Sequence, residues 1–299
     1  MLNNLIVIAG PTAIGKTALS ISIAKKLHCP IVSADSRQFF KEMSIGTAKP
    51  TTSEMDGVVH YFIDSHSIAE NYNVGKYEIN AIELLGKLFV ENKNVILTGG
   101  SGLYIDAVCK GFDELPEADP EIRNKIDLIL KEKGIEGLQE LLKELDLEYY
   151  NKADLQNPQR LSRALEVCLT TGLPYSVLRK GIAKKRDFNI IKIGLDIPRE
   201  KLYERINKRV DRMMDAGLLE EVKQLKSFQH LNALQTVGYK ELFDHLDGKT
   251  DLKTAVEAIK QNTRKFAKRQ LTWFRKDAEM KWFEPDNETE ILEFINSKL

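Results

Sequence analysis

The chain has 299 residues, 42% of them hydrophobic, enough for one large domain or two modest ones around a sizeable core. Its 44 lysines and arginines balance 44 aspartates and glutamates, which excludes a basic or acidic character spread over the whole chain. Residues 1–4 lack a basic start and no stretch nears the roughly 18 apolar residues that span a membrane, so neither an export signal nor an anchor is expected.

In chain order, residues 5–9 read as a buried strand, 10–16 as a glycine-bearing loop and 17–27 as a helix. Residues 30–34 read as a second strand, expected beside the first, with further strands at 58–63 and 94–98. Between these last two, Ile79, Ile82, Leu85 and Phe89 recur at helical spacing within 75–91. The alternation predicts an α/β fold with a parallel sheet flanked by helices. From 117 the strand signals stop, and 121–133, 137–145 and 159–171 read as helices. Residues 190–197 return to strand composition, and 199–226 and 250–276 read as long amphipathic helices. The expected organisation is therefore a core at 1–116, an inserted all-helical domain at 117–188, and a resumed core at 189–299.

Gly10-Pro11-Thr12-Ala13-Ile14-Gly15-Lys16-Thr17 matches G-x-x-x-x-G-K-[ST] after a strand and before a helix, the context this anion-binding loop requires. Backbone N–H groups and a helix N-terminus face a phosphate there, Lys16 reaches its outer oxygens, and the Thr17 hydroxyl can ligate magnesium. The pattern leaves open whether a nucleotide or another diphosphate is held. Asp35 ends the second strand, where a carboxylate can hold magnesium, cap a helix or accept a substrate proton. Gly99-Gly100-Ser101-Gly102 follows another strand and offers flexible backbone and one hydroxyl, or is simply a turn.

Charge is uneven along the chain. Residues 111–150 hold 12 acidic and 5 basic side chains, 151–215 hold 8 and 15, and 260–276 hold none and 7. Arg160 and Arg163 suit phosphate contacts or pair with Glu166, and Arg264, Lys268 and Arg275 either grip RNA or face solvent while Phe266, Trp273 and Phe274 enter the core. Cys29, Cys109 and Cys168 are far apart in apolar contexts and are expected to be reduced core thiols of a cytoplasmic protein. His28, His60, His66, His230 and His245 show no metal-ligand spacing. No hydrolase elbow or dinucleotide fingerprint is present.

Taken in order, GPTAIGKT (10–17), ADS (34–36), IGTAKP (45–50), ILTGGSGLYI (96–105) and NPQRLSRALEV (157–167) resemble the tRNA dimethylallyltransferase family. ADPEIR (118–123), MMDAGLLEEV (213–222), VGYKEL (237–242) and TRKFAKRQLTWFR (263–275) agree, so the likeness covers nearly the whole chain. The resemblance implies a P-loop kinase-like core with a helical insertion, in which Gly10 to Thr17 bind dimethylallyl diphosphate in place of ATP. It implies attack by N6 of the adenosine beside the anticodon on the allylic C1, with Lys16, a magnesium ion at Thr17 and Arg209 neutralising the departing pyrophosphate. Asp35 aligns with the family's general base, and Ser101 with a threonine near the reacting centre. Ser36, Arg37, Gln38, Arg123, Gln159, Arg160, Leu161, Ser162 and Arg163 align with positions that contact tRNA, as do Asp35 and Ser101. The partners implied are a tRNA anticodon stem-loop and dimethylallyl diphosphate, with the enzyme a monomer. Asn157, Ile14 and Phe39-Phe40 depart from the family pattern. The rivals are a P-loop kinase of a nucleoside or small metabolite and a non-catalytic RNA-binding protein.

Overall fold

The computed structural model describes residues 2–117 and 119–299; Met1 and Ala118, the first residue of the ADPEIR run, lie outside them. Its sheet has six strands, β1 (Asn4–Ala9), β2 (Ile31–Ser33), β3 (His60–Tyr61), β4 (Asn94–Gly99), β5 (Asn189–Leu195) and β6 (Lys281–Phe283). They run in the order β3-β2-β4-β1-β5-β6 with every pair parallel. β2 was expected beside β1, but β4 lies between them and pairs with both. The long apolar strands β4, β1 and β5 take the centre of the sheet, and the short strands β2, β3 and β6 flank them. Their register starts from asparagines at one level. Asn4 pairs with Asn94 and Asn189, donating to the Asn94 Oδ1 at 3.0 Å and accepting from the Asn189 Nδ2 at 3.2 Å.

Alternation along β1 sends Ile6 and Ile8 to one face and Leu5, Val7 and Ala9 to the other. Helices Lys16–Leu27, Arg199–Asp215 and Glu288–Asn296 contribute to the first core, while Val74–Glu91 and Gly102–Cys109 contribute to the second. Burial on both faces is why β1 reads as a continuous apolar run. A third core gathers Phe39 and Phe40 with Leu218, Tyr239, Ala255 and Ile259. The helix expected over 199–226 is broken after Asp215 by Gly217 at φ 97°, and β6 was not anticipated.

The chain divides into two compact units, Met1–Lys110 with Lys185–Leu299, and Gly111–Lys184. The second is all-helical. Helix Pro120–Leu145 kinks at Gly134 (φ 68°), the gap between the two helices expected there, and packs with Pro158–Thr171 around Ile126, Leu138, Leu142, Leu161 and Leu165. Among the described residues no helix is long and apolar enough to cross a membrane, and Cys29, Cys109 and Cys168 are buried free thiols.

Gly99 ends β4 against the residue after β2, where an added Cβ would stand 2.4 Å from the Ala34 carbonyl oxygen. Gly99→Ala must push these strand ends apart and is expected to lower stability by about 1–3 kcal/mol in denaturant unfolding.

Candidate active site

A parallel sheet delivers the carboxyl ends of its strands to one edge, and the loops after β1, β2 and β4 leave from there. The first turns sharply: Ala13 (φ 63°) and Gly15 (φ 106°) adopt left-handed backbone, and the helix begins directly at Lys16. Its first N–H groups therefore lack intrahelical partners and are available to an anion. Ile14, one of the departures from the family pattern, is fully buried in the core and holds the loop from beneath, and Arg205 donates to its carbonyl at 3.1 Å. Lys16 Nζ donates to the carbonyls of Gly10 (3.0 Å) and Pro11 (2.8 Å). Burial brings its pKa down to about 7, opposed by the Asp35 carboxylate and aided by Arg209.

In the second loop, Asp35 Oδ1 accepts from the Arg37 N–H at 2.9 Å and the Gln38 N–H at 3.4 Å, so one carboxylate oxygen closes its own turn. The third loop joins it through Ser101, whose Oγ accepts from the Ser36 N–H at 3.0 Å. Arg209, from helix Arg199–Asp215, donates to the Thr47 carbonyl at 3.2 Å. Burial lowers its pKa and that of Arg37, and Asp35 opposes both shifts. Thr12, Asp35, Ser36, Arg37, Ser101 and Arg209 line one cavity of about 190 Å³. Its other wall is apolar, with Val210, Met213, Leu218, Val237, Ile259 and Phe266. A larger cavity of about 610 Å³ beyond β5 and β6 contains none of these residues.

Gln38 does not line that cavity and donates to the carbonyls of Thr47 (3.3 Å) and Ala48 (3.2 Å). The loop it supports is held by Glu221, which accepts from the N–H groups of Ser44 (3.0 Å), Ile45 (2.7 Å) and Gly46 (3.0 Å) and from the Tyr239 hydroxyl (2.6 Å). Gly46 has to be glycine, because a Cβ would stand 2.5 Å from the Tyr239 ring. Neither Glu221 nor the apolar wall was singled out from the sequence; the MMDAGLLEEV and VGYKEL runs were the available signal. Phe39 and Phe40 are core residues, Phe39 lying edge-on to Tyr72 at 5.0 Å.

In the helical unit, Asn157 caps helix Pro158–Thr171 by accepting from the Arg160 N–H at 3.2 Å. Leu161 and Ser162 point into the unit and are buried, whereas Gln159 and Arg160 are exposed. Arg123 and Arg163 both pair with the buried Glu166, Arg163 at 3.3 Å, and Arg163 also donates to the Pro116 carbonyl at 2.8 Å. In the first unit, Arg264 bonds Asn207 at 2.6 Å and Arg275 pairs with Asp196 at 2.6 Å, while Lys268 is exposed. Of the three aromatics expected in the core only Phe274 is buried. Phe266 and Trp273 are 37% and 38% exposed, because the buried stripe of their helix runs through Ala267, Gln270 and Phe274 instead.

A magnesium ion fits this donor set as one bound mostly through substrate oxygens and water. The Thr17 residue is exposed at the helix start, and among the described residues no cluster of three or more His, Cys, Asp or Glu side chains could cage a metal.

The parallel sheet with this loop at its edge is a fold of the P-loop type. The family model described as IPP transferase matches residues 38–277. A tRNA dimethylallyltransferase of Christiangramia forsetii is 55% identical over all of this chain and 99% of its own length. The crystal structure of a tRNA isopentenylpyrophosphate transferase from Bacillus halodurans is 36% identical with a TM-score of 0.73, covering 99% of this chain and 96% of that one. A eukaryotic dimethylallyltransferase acting on tRNA is 27% identical with a TM-score of 0.77, over 91% and 69% of the two chains. The chain belongs to the tRNA dimethylallyltransferase family.

Two outcomes follow from this geometry. Burial draws the Lys16 pKa down to about 7, and a polyanion held beside its amine would raise it again. Pyrophosphate binding should therefore take up a proton at pH 8 that Lys16→Met does not, and the Lys16-dependent affinity should fall by up to about tenfold per pH unit above 7. Calorimetry in buffers of different protonation enthalpy checks this. Glu221→Ala leaves three N–H groups and a hydroxyl without their acceptor and should cost about 1–3 kcal/mol in thermal or urea unfolding.

Proposed function

We propose that the chain transfers the dimethylallyl group of dimethylallyl diphosphate to N6 of the adenosine beside the anticodon of tRNA, releasing pyrophosphate. The observation that carries this reading is that a carboxylate, Asp35, shares one cavity with Arg209 and the Thr12 loop, with an apolar wall alongside. Those are the three environments a prenyl transfer needs: an acceptor for a proton, cations for a leaving anion, and a dry surface for a hydrocarbon.

The loop Gly10 to Thr17 holds the diphosphate through the unpaired backbone N–H groups at its helix start, and Lys16 turns from the Gly10 and Pro11 carbonyls to its oxygens. Arg209 faces the same charge. The C1–O bond breaks with its electron pair going to pyrophosphate, while the N6 lone pair forms the new bond to C1. The N6 proton passes to Asp35, whose Oδ1 is fixed by the Arg37 and Gln38 N–H groups. Ser101, fixed by the Ser36 N–H, positions the adenine side. Magnesium, when bound at Thr17, supplies positive charge to the leaving group. The adenosine must leave its stack to reach this cavity, which a loop nucleotide does at low cost.

In the helical unit, Arg123, Gln159 and Arg160 are exposed positions offered to tRNA, and Arg123 and Arg163 would divide their hydrogen bonds between Glu166 and phosphates. Leu161 and Ser162 support that surface from beneath. The relatives named above are dimethylallyl- and isopentenylpyrophosphate transferases, which supports prenyl transfer and not a kinase.

Labelled dimethylallyl diphosphate, magnesium and unmodified tRNA, run beside an ATP phosphotransfer control, test the reading directly. Label should enter the tRNA with wild type and not with Lys16→Ala. Asp35→Asn should lower kcat by about 10²–10⁴-fold with tRNA affinity retained. Phosphate transfer from ATP with no labelled tRNA would overturn the proposal. Arg160→Ala should weaken tRNA binding and reduce its salt dependence by about one counterion.

A further inference from the structure

Gln270 is a polar residue in the buried stripe of helix Leu252–Phe274, only 7% exposed, and both ends of its carboxamide are engaged. Its Oε1 accepts from the Thr12 N–H at 2.9 Å, and its Nε2 donates to the Gly100 carbonyl at 2.7 Å. The first partner belongs to the loop after β1 and the second to the loop after β4. Gly100 immediately precedes Ser101, which in turn holds the Ser36 N–H next to Asp35. The approach is close enough that a Cβ on Gly100 would stand 2.4 Å from the Gln270 Nε2. One helical turn further on, Trp273 covers Gly102, where a Cβ would stand 2.3 Å from the indole, and its Nε1 donates to Asp106 at 2.8 Å. One helix thus grips the turn on both sides of Ser101.

We propose that Gln270 is a positioning residue for the transfer, tying the diphosphate loop to the Asp35–Ser101 turns so that leaving group and acceptor nitrogen are held at one separation. The role rests on the transferase reading above. A primary carboxamide is suited to it because it carries a donor and an acceptor on one rigid plane; lysine lacks the acceptor, and ionised glutamate lacks the donor. The energetic lever is alignment, since a misplacement of about 1 Å between reacting groups costs on the order of 10²-fold in rate.

The test compares wild type with Gln270→Met, which fills the volume without either hydrogen bond, and Gln270→Glu, with folding checked by thermal unfolding. Gln270→Met is expected to lower kcat by about 10–100-fold while KM for tRNA and for dimethylallyl diphosphate each change by less than about threefold. Gln270→Glu keeps the acceptor for Thr12 and regains the donor for Gly100 only when protonated, which burial favours. Its activity relative to wild type should therefore climb as pH falls from about 8 to about 5.5, whereas a space-filling role gives a flat ratio. Amide hydrogen exchange across residues 10–17, measured without substrate, should be faster in Gln270→Met. Unchanged exchange there overturns the proposal, as does a kcat within about twofold of wild type or a loss confined to KM. A wild type that transfers no prenyl group overturns the transferase reading instead, and the exchange measurement then decides the coupling alone.

Discussion

The site depends on the parallel direction of the sheet. Because β1, β2 and β4 all run the same way, the loops carrying Lys16, Asp35 and Ser101 leave one edge and reach one cavity, although the three residues are widely separated in sequence. An antiparallel β2 would have carried Asp35 to the opposite edge. The placement of β4 between β1 and β2 adds to this, since it puts the Ser101 turn between the other two loops and lets its hydroxyl receive the Ser36 N–H. The side chains come last in this order of causes. The register of β1, β4 and β5 aligns the strand ends, and the strand ends place the loops.

Charge at the cavity is out of balance in the free protein. Lys16, Arg37 and Arg209 are all shifted downward by burial, and Asp35 is the carboxylate that opposes each shift. Burying several cations around one anion is unfavourable without further negative charge. Lys16 meets the cost by bonding two carbonyls of its own loop. A diphosphate held there, as proposed, would replace weak carbonyl acceptors with charged oxygens and offset the cost of holding the cations together. The Asp35 oxygen tied to its own turn keeps that carboxylate from swinging across to the cations.

Much of this was legible because it is local. The phosphate loop is a contiguous pattern, Asp35 and Ser101 end strands that short apolar runs disclose, and the helical insertion shows in composition. What escaped depends on partners far along the chain. The neighbour of β1 is fixed by Asn4, Asn94 and Asn189 meeting across three strands, which no single segment contains. The three residues of β6 are too short for an alternation to be read. Glu221 is not distinguished within its own segment, because the Ser44 to Gly46 N–H groups that converge on it lie far back along the chain. The helical spacing of Phe266, Trp273 and Phe274 favoured the core for all three, but the helix phase is set by Ala267 and Phe274 and turns the other two outward.

That helix explains how fold and site are joined. Its buried positions belong in turn to all three cores of the first unit: Ala255 and Ile259 to the third, Ala267 to the first and Phe274 to the second. A helix pinned in three cores cannot slide or rotate without loss of packing in each. Gln270 sits between Ala267 and Phe274 on the same stripe, where an apolar side chain would satisfy the packing but forfeit two hydrogen bonds. The position instead carries the one group that reaches both the Thr12 N–H and the Gly100 carbonyl. The helix pinned in these cores is thereby bonded to two loops that have no strand pairing of their own, so the contacts that stabilise the fold also tie the Thr12 loop to the Gly100 turn.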